Sequence, residues 1–322
     1  MKFSNKLILT LLLMAATVHN QTWAKTITEQ LFPDDSFIVH SIDDSSWCMN
    51  GKTVNRPVAG SAPNVEKNRS ILPATAAKRT DAVVSYDLDE YTTDPTVIQH
   101  TEEMETSYAK RQSVLKGHTD KLNLDATNNI MHTWAATDAN AIIRTSGEAG
   151  DAIMPDATGS RLKLAIADCK QASQLLDNWE VPYKGRHILL PSDMRYGLTD
   201  GLTGDEIQAL MMKGVLVFKD GMLYSIYGMR VHLRGHKNLL SYNNGATPTL
   251  LALNNETSTA NAAALVWHED HVCRAKGAIK FGYTQNATGY YGDTIEAAVR
   301  LGGKHVYNDK RGVVSIVEAH SA

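Results

Sequence analysis

The chain has 322 residues, enough to bury a sizeable core in one or two domains. With 43 % hydrophobic and 21 % charged residues it reads as an ordinary folded protein and not a disordered one. Its net charge of −3 gives no broad basic field, which argues against nucleic-acid binding as the main task.

In chain order, residues 1–24 carry Lys2 and Lys6, an apolar run over residues 7–16, and Thr22-Trp23-Ala24 as a small-x-small cleavage point. Alone, that pattern reads as a secretory signal peptide, its apolar run too short to span a bilayer comfortably. The cysteines disagree with export. Cys48, Cys169 and Cys273 are an odd set, far apart and without a CxxC pair, and read as buried inert thiols.

Residues 25–50 mix short apolar clusters with polar turns, as an extended arm with one or two short elements would. Residues 51–80 are rich in Gly, Pro, Ser and Asn and carry Arg56, Lys67, Arg69, Lys78 and Arg79. A loop this long is uncommon unless it does something. Val54 and Val58 on one side, with Val83, Val84 and Tyr86 on the other, suit a long two-stranded hairpin whose returning strand lies in 81–93. Asp94-Pro95 then has the chemistry of a helix start. A helix from Pro95 to Ala135 would carry Glu102, Glu103 and Glu105 early and basic residues from Lys110, and would reach about 60 Å at about 1.5 Å per residue. Gly117 and the 123–125 patch offer places for a break.

Beyond it, 141–159 is a turn-rich connector and 161–179 an amphipathic helix, closed by Val181-Pro182-Tyr183-Lys184-Gly185-Arg186 before a strand at 187–191. A short helix covers 205–214, and strands within 215–235 flank the Asp220-Gly221 turn. Residues 240–261 read as loop, 262–277 as a helix stopped by Gly277, 295–301 as helix or strand, and 313–318 as a final strand.

Chemistry is sparse. His268-Glu269-Asp270-His271 tempts a metal reading, but its histidines are three apart where the zincin pattern needs four, and no further ligands stand at metal-site spacing. No nucleophile elbow, dinucleotide turn or phosphate loop is present. The Gly302-Gly303 pair reads as backbone punctuation, and no stretch qualifies as an active site, cofactor site or metal site.

Five stretches in this order resemble the tailed-bacteriophage major capsid protein family with the HK97-like fold, including capsid proteins of gut phages. Residues 83–115 are similar to the strand that returns from the family's extended loop and enters its spine helix. Residues 176–198, with the VP..GR turn, look like the helix-to-strand unit that enters the axial domain, and 223–235 like the strand that returns from it. Residues 262–281 and 290–319 resemble the closing peripheral-domain elements. The resemblance implies an α+β fold and a non-enzymatic subunit, divided as follows. A signal-like or mis-assigned start (1–24) precedes an N-terminal arm (25–50) and an extended hairpin loop (51–92). A spine helix with peripheral domain (93–185), an axial domain (186–260) and a return to the peripheral domain (261–322) complete it.

It further implies pentamers and hexamers that close an icosahedral shell around phage DNA without sequence-specific binding. Partners would be other copies, with scaffold, portal and decoration proteins and no membrane, and assembly would take place in the host cytoplasm. Arg56, Arg69, Lys78 and Arg79 on the loop would pair with Glu102, Glu103 and Glu105 of a neighbour's spine. Two rival readings stay open. The signal-like start favours an exported or periplasmic binding or surface protein, and an encapsulin-like nanocompartment shell shares the fold.

Overall fold

The computed structural model describes residues 37–320, apart from 59, 61–63, 71–72, 74–75, 77, 100–109, 236–239, 254–256, 288 and 308. Two sheets and one long helix account for most of its regular structure. The arm enters through a 3-10 turn at Phe37–Val39 and two short strands, β1 (Ile42–Asp43) and β2 (Cys48–Met49). A hairpin follows, β3 (Thr53–Val58) and β4 (Ala82–Asp87), antiparallel with Val54 opposite Tyr86. The expected pairing of these two stretches is present.

The chain next forms β5 (Asp89–Thr92) and β6 (Thr96–Gln99), and then helix α1 (Lys110–Trp134). The expectation of a helix starting at Asp94-Pro95 is therefore corrected. Thr96, Val97 and Ile98 are β-branched, and they pair with Thr294, Asp293 and the backbone around them in an antiparallel ladder. A proline also biases the residue before it towards extended backbone. From Lys110 onward the helix is unbroken through Gly117 and 123–125, and its 25 residues span about 37 Å.

After β7 (Ile142–Arg144), β8 (Ala149–Asp151) and β9 (Ser160–Leu162) comes α2 (Ile166–Asn178). This helix begins later than its periodicity suggested, because the buried Asp168 carboxylate accepts from Ala165 N (2.9 Å) and from Ser146 N and Oγ (3.1 and 2.6 Å), fixing the first turn. At its other end Arg186 is 2 % exposed. Its guanidinium donates to the carbonyls of Val181 and Pro182 at 2.6 and 3.0 Å and lies 2.7 Å from Asp177 Oδ1. That is the physical content of the VP..GR turn: one arginine satisfies the carbonyls where helix becomes strand.

Next stand β10 (Arg186–Pro191), α3 (Ser192–Asp200), α4 (Gly204–Met212), β11 (Leu216–Lys219), β12 (Met222–Ile226), β13 (Met229–Arg234) and β14 (Leu240–Tyr242). Helix α4 carries a capping box: Glu206 N donates to Thr203 Oγ1, and Glu206 Oε2 accepts from Thr203 N. Asp220 and Gly221 both have positive φ, as the expected hairpin turn requires.

The closing run is β15 (Asn261–His268), β16 (Val272–Ala287), β17 (Gly292–His305), β18 (Val313–Val317) and β19 (Ala319–His320). The expected helix over 262–277 is thus two strands and a turn, and Gly277 sits inside β16 at an irregularity in its register. All eight residues of β15 are buried. It lies between β10 and β18 in an eight-stranded sheet of path order β11-β12-β13-β10-β15-β18-β7, with β14 also on β15. Ala262, Ala264 and Val266 face a core with Cys169, Leu176 and Met194 of α2 and α3. Ala263, Leu265 and Trp267 face a second core with Ile130, Met131 and Trp134 of α1. A strand covered on both faces needs no alternation, and its small residues read as helix formers.

The other large sheet runs β1-β16-β17-β5, with β6 also on β17. Here Ala297, Val299 and Leu301 pack under Leu122 and Ala126. One helix therefore covers one sheet with its first half and the other with its last turns. Gly303 marks the tightest approach: a Cβ there would lie 2.8 Å from Cys273 O and 2.9 Å from Trp134 Nε1. No described helix is long and apolar enough to cross a membrane.

Glu318 is 2 % exposed, accepts from Ala262 N at 2.9 Å, and is pushed by burial to a pKa of about 7.

Two measurements follow from this packing. Gly303→Ala should lower the urea midpoint, by a loss of about 1–3 kcal/mol for overpacking. Glu318 holds its proton when folded and releases it when unfolded between pH 4.5 and about 7, so its contribution falls as pH rises through that window. Glu318→Gln should match the native chain in urea at pH 5 and exceed it at pH 8.

Candidate assembly surfaces and a histidine cluster

The base of the β3–β4 hairpin is held by a small polar knot. Asp44, with its side chain 2 % exposed, takes Arg56 Nη1 at 3.3 Å, and Tyr86 Oη donates to its other oxygen at 3.4 Å. Cys273 lies 3.6 Å from Tyr86 Oη, its thiol pushed by burial to about 12. Cys169 is likewise pushed to about 12, and all three cysteines are free. These two are therefore protonated side chains of the interior, as the spacing suggested.

The charged candidates separate on inspection. Arg56 is engaged by Asp44 of its own chain. Arg69 Nε stands 3.5 Å from Glu66, and Arg79 Nε 2.7 Å from Asp81, both pairs partly or largely solvent-exposed. Lys78 is exposed. Glu102, Glu103 and Glu105 lie outside the described residues. Exposed pairs of this sort hold weakly and exchange partners readily.

A groove of about 730 Å³ runs between β5, the start of β6 and α1, with Glu90, Asp94 and Asp125 among its lining residues. Elsewhere, large apolar side chains reach solvent on three adjoining elements. These are Met211 and Met212 on α4, Val217 on β11, and Met222 and Tyr224 on β12. The turn joining β16 to β17 exposes Tyr290 and Tyr291.

Behind the arm's 3-10 turn lies a cluster that sequence reading missed. His40 stacks on His187 of β10 with ring centres 4.4 Å apart, and His187 stacks on Trp267 of β15 at 5.3 Å. His232 of β13 closes the group, its Nε2 standing 3.1 Å from His187 Nδ1. Trp267 Nε1 donates to His40 O at 2.9 Å and pins the arm in place. Burial holds His187 near 3 and His232 near 4, so both rings are neutral at neutral pH. The parallel pairing of β10 with β13 brings them together across 45 residues of sequence, and no spacing rule reports that. His268 and His271 instead bracket the β15–β16 turn and bond to the carbonyls of Lys184 and Arg311.

No family model and no curated protein matches the chain. Solved structures do. The capsid structure of the cyanophage P-SCSP1u is 16 % identical with a TM-score of 0.59, over 88 % of this chain and 87 % of that one. The capsid of Ralstonia phage GP4 is 10 % identical with a TM-score of 0.59, over 91 % of each chain. The capsid of a native GTA particle, computed with C5 symmetry, is 10 % identical with a TM-score of 0.58, over 90 % and 92 %. The α+β architecture is therefore the HK97-like capsid fold, as the order of motifs implied.

The two kinds of arginine should behave differently in urea. Arg56→Ala leaves the Asp44 carboxylate buried without its partner and should cost about 1–3 kcal/mol, whereas Arg79→Ala should leave the midpoint unmoved.

Proposed function

We propose that the chain is a non-enzymatic structural subunit that self-assembles through pentamers and hexamers into an icosahedral shell enclosing phage DNA. The observation that carries this reading is full-length agreement with capsid subunits: about nine-tenths of this chain and of theirs superimpose. The fold alone does not assign the task, and three surfaces add to it. The β3–β4 hairpin and the described residues of its basic loop belong to neither large core. The α4–β11–β12 end and the β16–β17 turn carry apolar groups that a lone subunit leaves wet.

In this reading α1 with β5, β6, β16 and β17 forms the spine and peripheral part, and β10 to β14 with α3 and α4 the axial part that meets its copies at the capsomer centre. The loop of one subunit lies along the α1 groove of the next. Arg69, Lys78 and Arg79 would then pair with acidic residues of a neighbouring copy, either Glu90, Asp94 and Asp125 of the groove or Glu102, Glu103 and Glu105. Arg56 contributes mainly by stiffening the hairpin base through Asp44. Each contact is modest, but every subunit repeats it, and closed symmetry multiplies the effect. The net charge of −3 suits a wall that contains nucleic acid without gripping it. Assembly would take place in the host cytoplasm, with scaffold, portal and decoration proteins as further partners.

Expression of the chain with and without residues 1–24, followed by electron microscopy, tests the reading. Shells or capsomers are the expected result, and a monomer at high concentration in both forms would overturn it. Enclosed nucleic acid rather than a protein cargo separates a phage shell from a nanocompartment. Charge reversal at Arg69, Lys78 and Arg79 together should stop assembly while leaving circular dichroism and the urea midpoint of the subunit unchanged.

A further inference from the structure

We propose that His40, His187 and His232 form a binding site for one divalent transition metal of borderline softness, zinc first among them, which fastens the arm to the body of the subunit. The inference stands apart from the shell reading and would hold for a subunit of any function.

Three observations support it. The three imidazoles come from the arm, β10 and β13, and a ligand atom of each lies within 4.8 Å of the other two. His187 Nδ1 and His232 Nε2 are 3.1 Å apart and hydrogen-bonded to each other, so a metal would take the place of the shared proton. Two nitrogens bound at about 2.0–2.1 Å to one tetrahedral metal stand about 3.3 Å apart, so this pair is nearly at ligand spacing. On its far side, His187 Nε2 is buried without a hydrogen bond, and Glu269 Oε2 stands 3.7 Å from it. A carboxylate behind an imidazole places the proton on the rear nitrogen and leaves the front one free to ligate.

Two features oppose the site and define what must move. Arg230 Nη1 stands 3.2 Å from His40 Nε2, and a cation there competes with a metal. Arg230 is exposed and already lies over the Tyr224 ring at 5.9 Å, so it has a place to retreat. Arg274 also faces this region, but its guanidinium is engaged by the carbonyls of Ile38, Val39 and Ser41. His40 is stacked parallel to His187 within 21°, so its lone pair passes beside the shared point. It has to tilt, and as a partly exposed residue just beyond a short 3-10 turn it is the ligand freest to do so. Three imidazoles leave a fourth position for water. An all-nitrogen set favours zinc, cobalt, nickel or copper over magnesium or calcium.

The test uses the untagged full chain stripped of metal and titrated with Co(II), then with Zn(II) in competition, alongside thermal unfolding. One Co(II) per chain, with the intense visible bands of a four-coordinate ion and a raised Tm, is expected. His232→Ala and His40→Ala should each lose the bands and the Tm rise, and Glu269→Gln should weaken binding about tenfold. His271→Ala, in the neighbouring turn, should retain both. A folded native chain that takes up no stoichiometric metal overturns the proposal, as does uptake that survives His40→Ala. Because His40 is partly exposed, that variant keeps the test decisive even where His232→Ala folds poorly.

Discussion

Trp134 and Trp267 pack against each other 6.1 Å apart, and the rest of the structure is arranged around that contact. Trp134 ends α1, and Trp267 is the penultimate residue of β15. Phe37 meets both rings edge-on, at 6.4 and 5.9 Å, so the arm's first described turn joins the same knot. Trp134 Nε1 donates to Cys273 O on β16, which carries the contact into the second sheet. Both indoles are fully buried with their N–H groups paired, the condition on which a tryptophan interior is stable. The closeness of the approach is why β17 carries glycine at 303.

Around this apolar centre the chain spends buried charge at junctions between elements. Arg186 fastens helix to strand after α2, and Asp168 fastens a connector to the start of the same helix. Arg161, 1 % exposed, reaches Asn261 at the start of β15. Arg274 gathers three carbonyls of the arm. Each group answers backbone or amide atoms that would otherwise lie buried and unpaired, and removal of any one leaves its partners exposed to that cost. Such residues specify where one element stops and the next begins. Propensity alone does so less reliably.

The sequence was most legible where a local rule was also the global one. Asp220-Gly221 turned as its φ preference requires, Gly185-Arg186 closed α2, and the valines of 54–58 and 83–84 paired as strands. It misled where two readings share one composition. Ala262–Trp267 has helix-forming alanines, yet an interior strand between two cores takes the same small residues. Asp94-Pro95 has cap chemistry, yet the three β-branched residues after it found a partner strand nearly two hundred residues away. Gly302-Gly303 looked like punctuation and proved to be space, Gly303 for α1 and the neighbouring strand and Gly302 for Leu88. The histidine cluster was invisible for the same reason as every other long-range feature: its members meet through strand register. The order of motifs pointed to the fold class even so, because order survives local misreadings.

The chain crosses from one large sheet to the other in a turn of three residues, 269–271, between β15 and β16. Helix α1 spans the same junction as a second member, so the two sheets are joined like the legs of a braced frame. Strand β16 extends about 50 Å from that corner. A relative movement of the two sheets would have to undo the packing of α1 as well as bend this turn, so the β3–β4 hairpin, outside both large cores, is the part freer to change its shape.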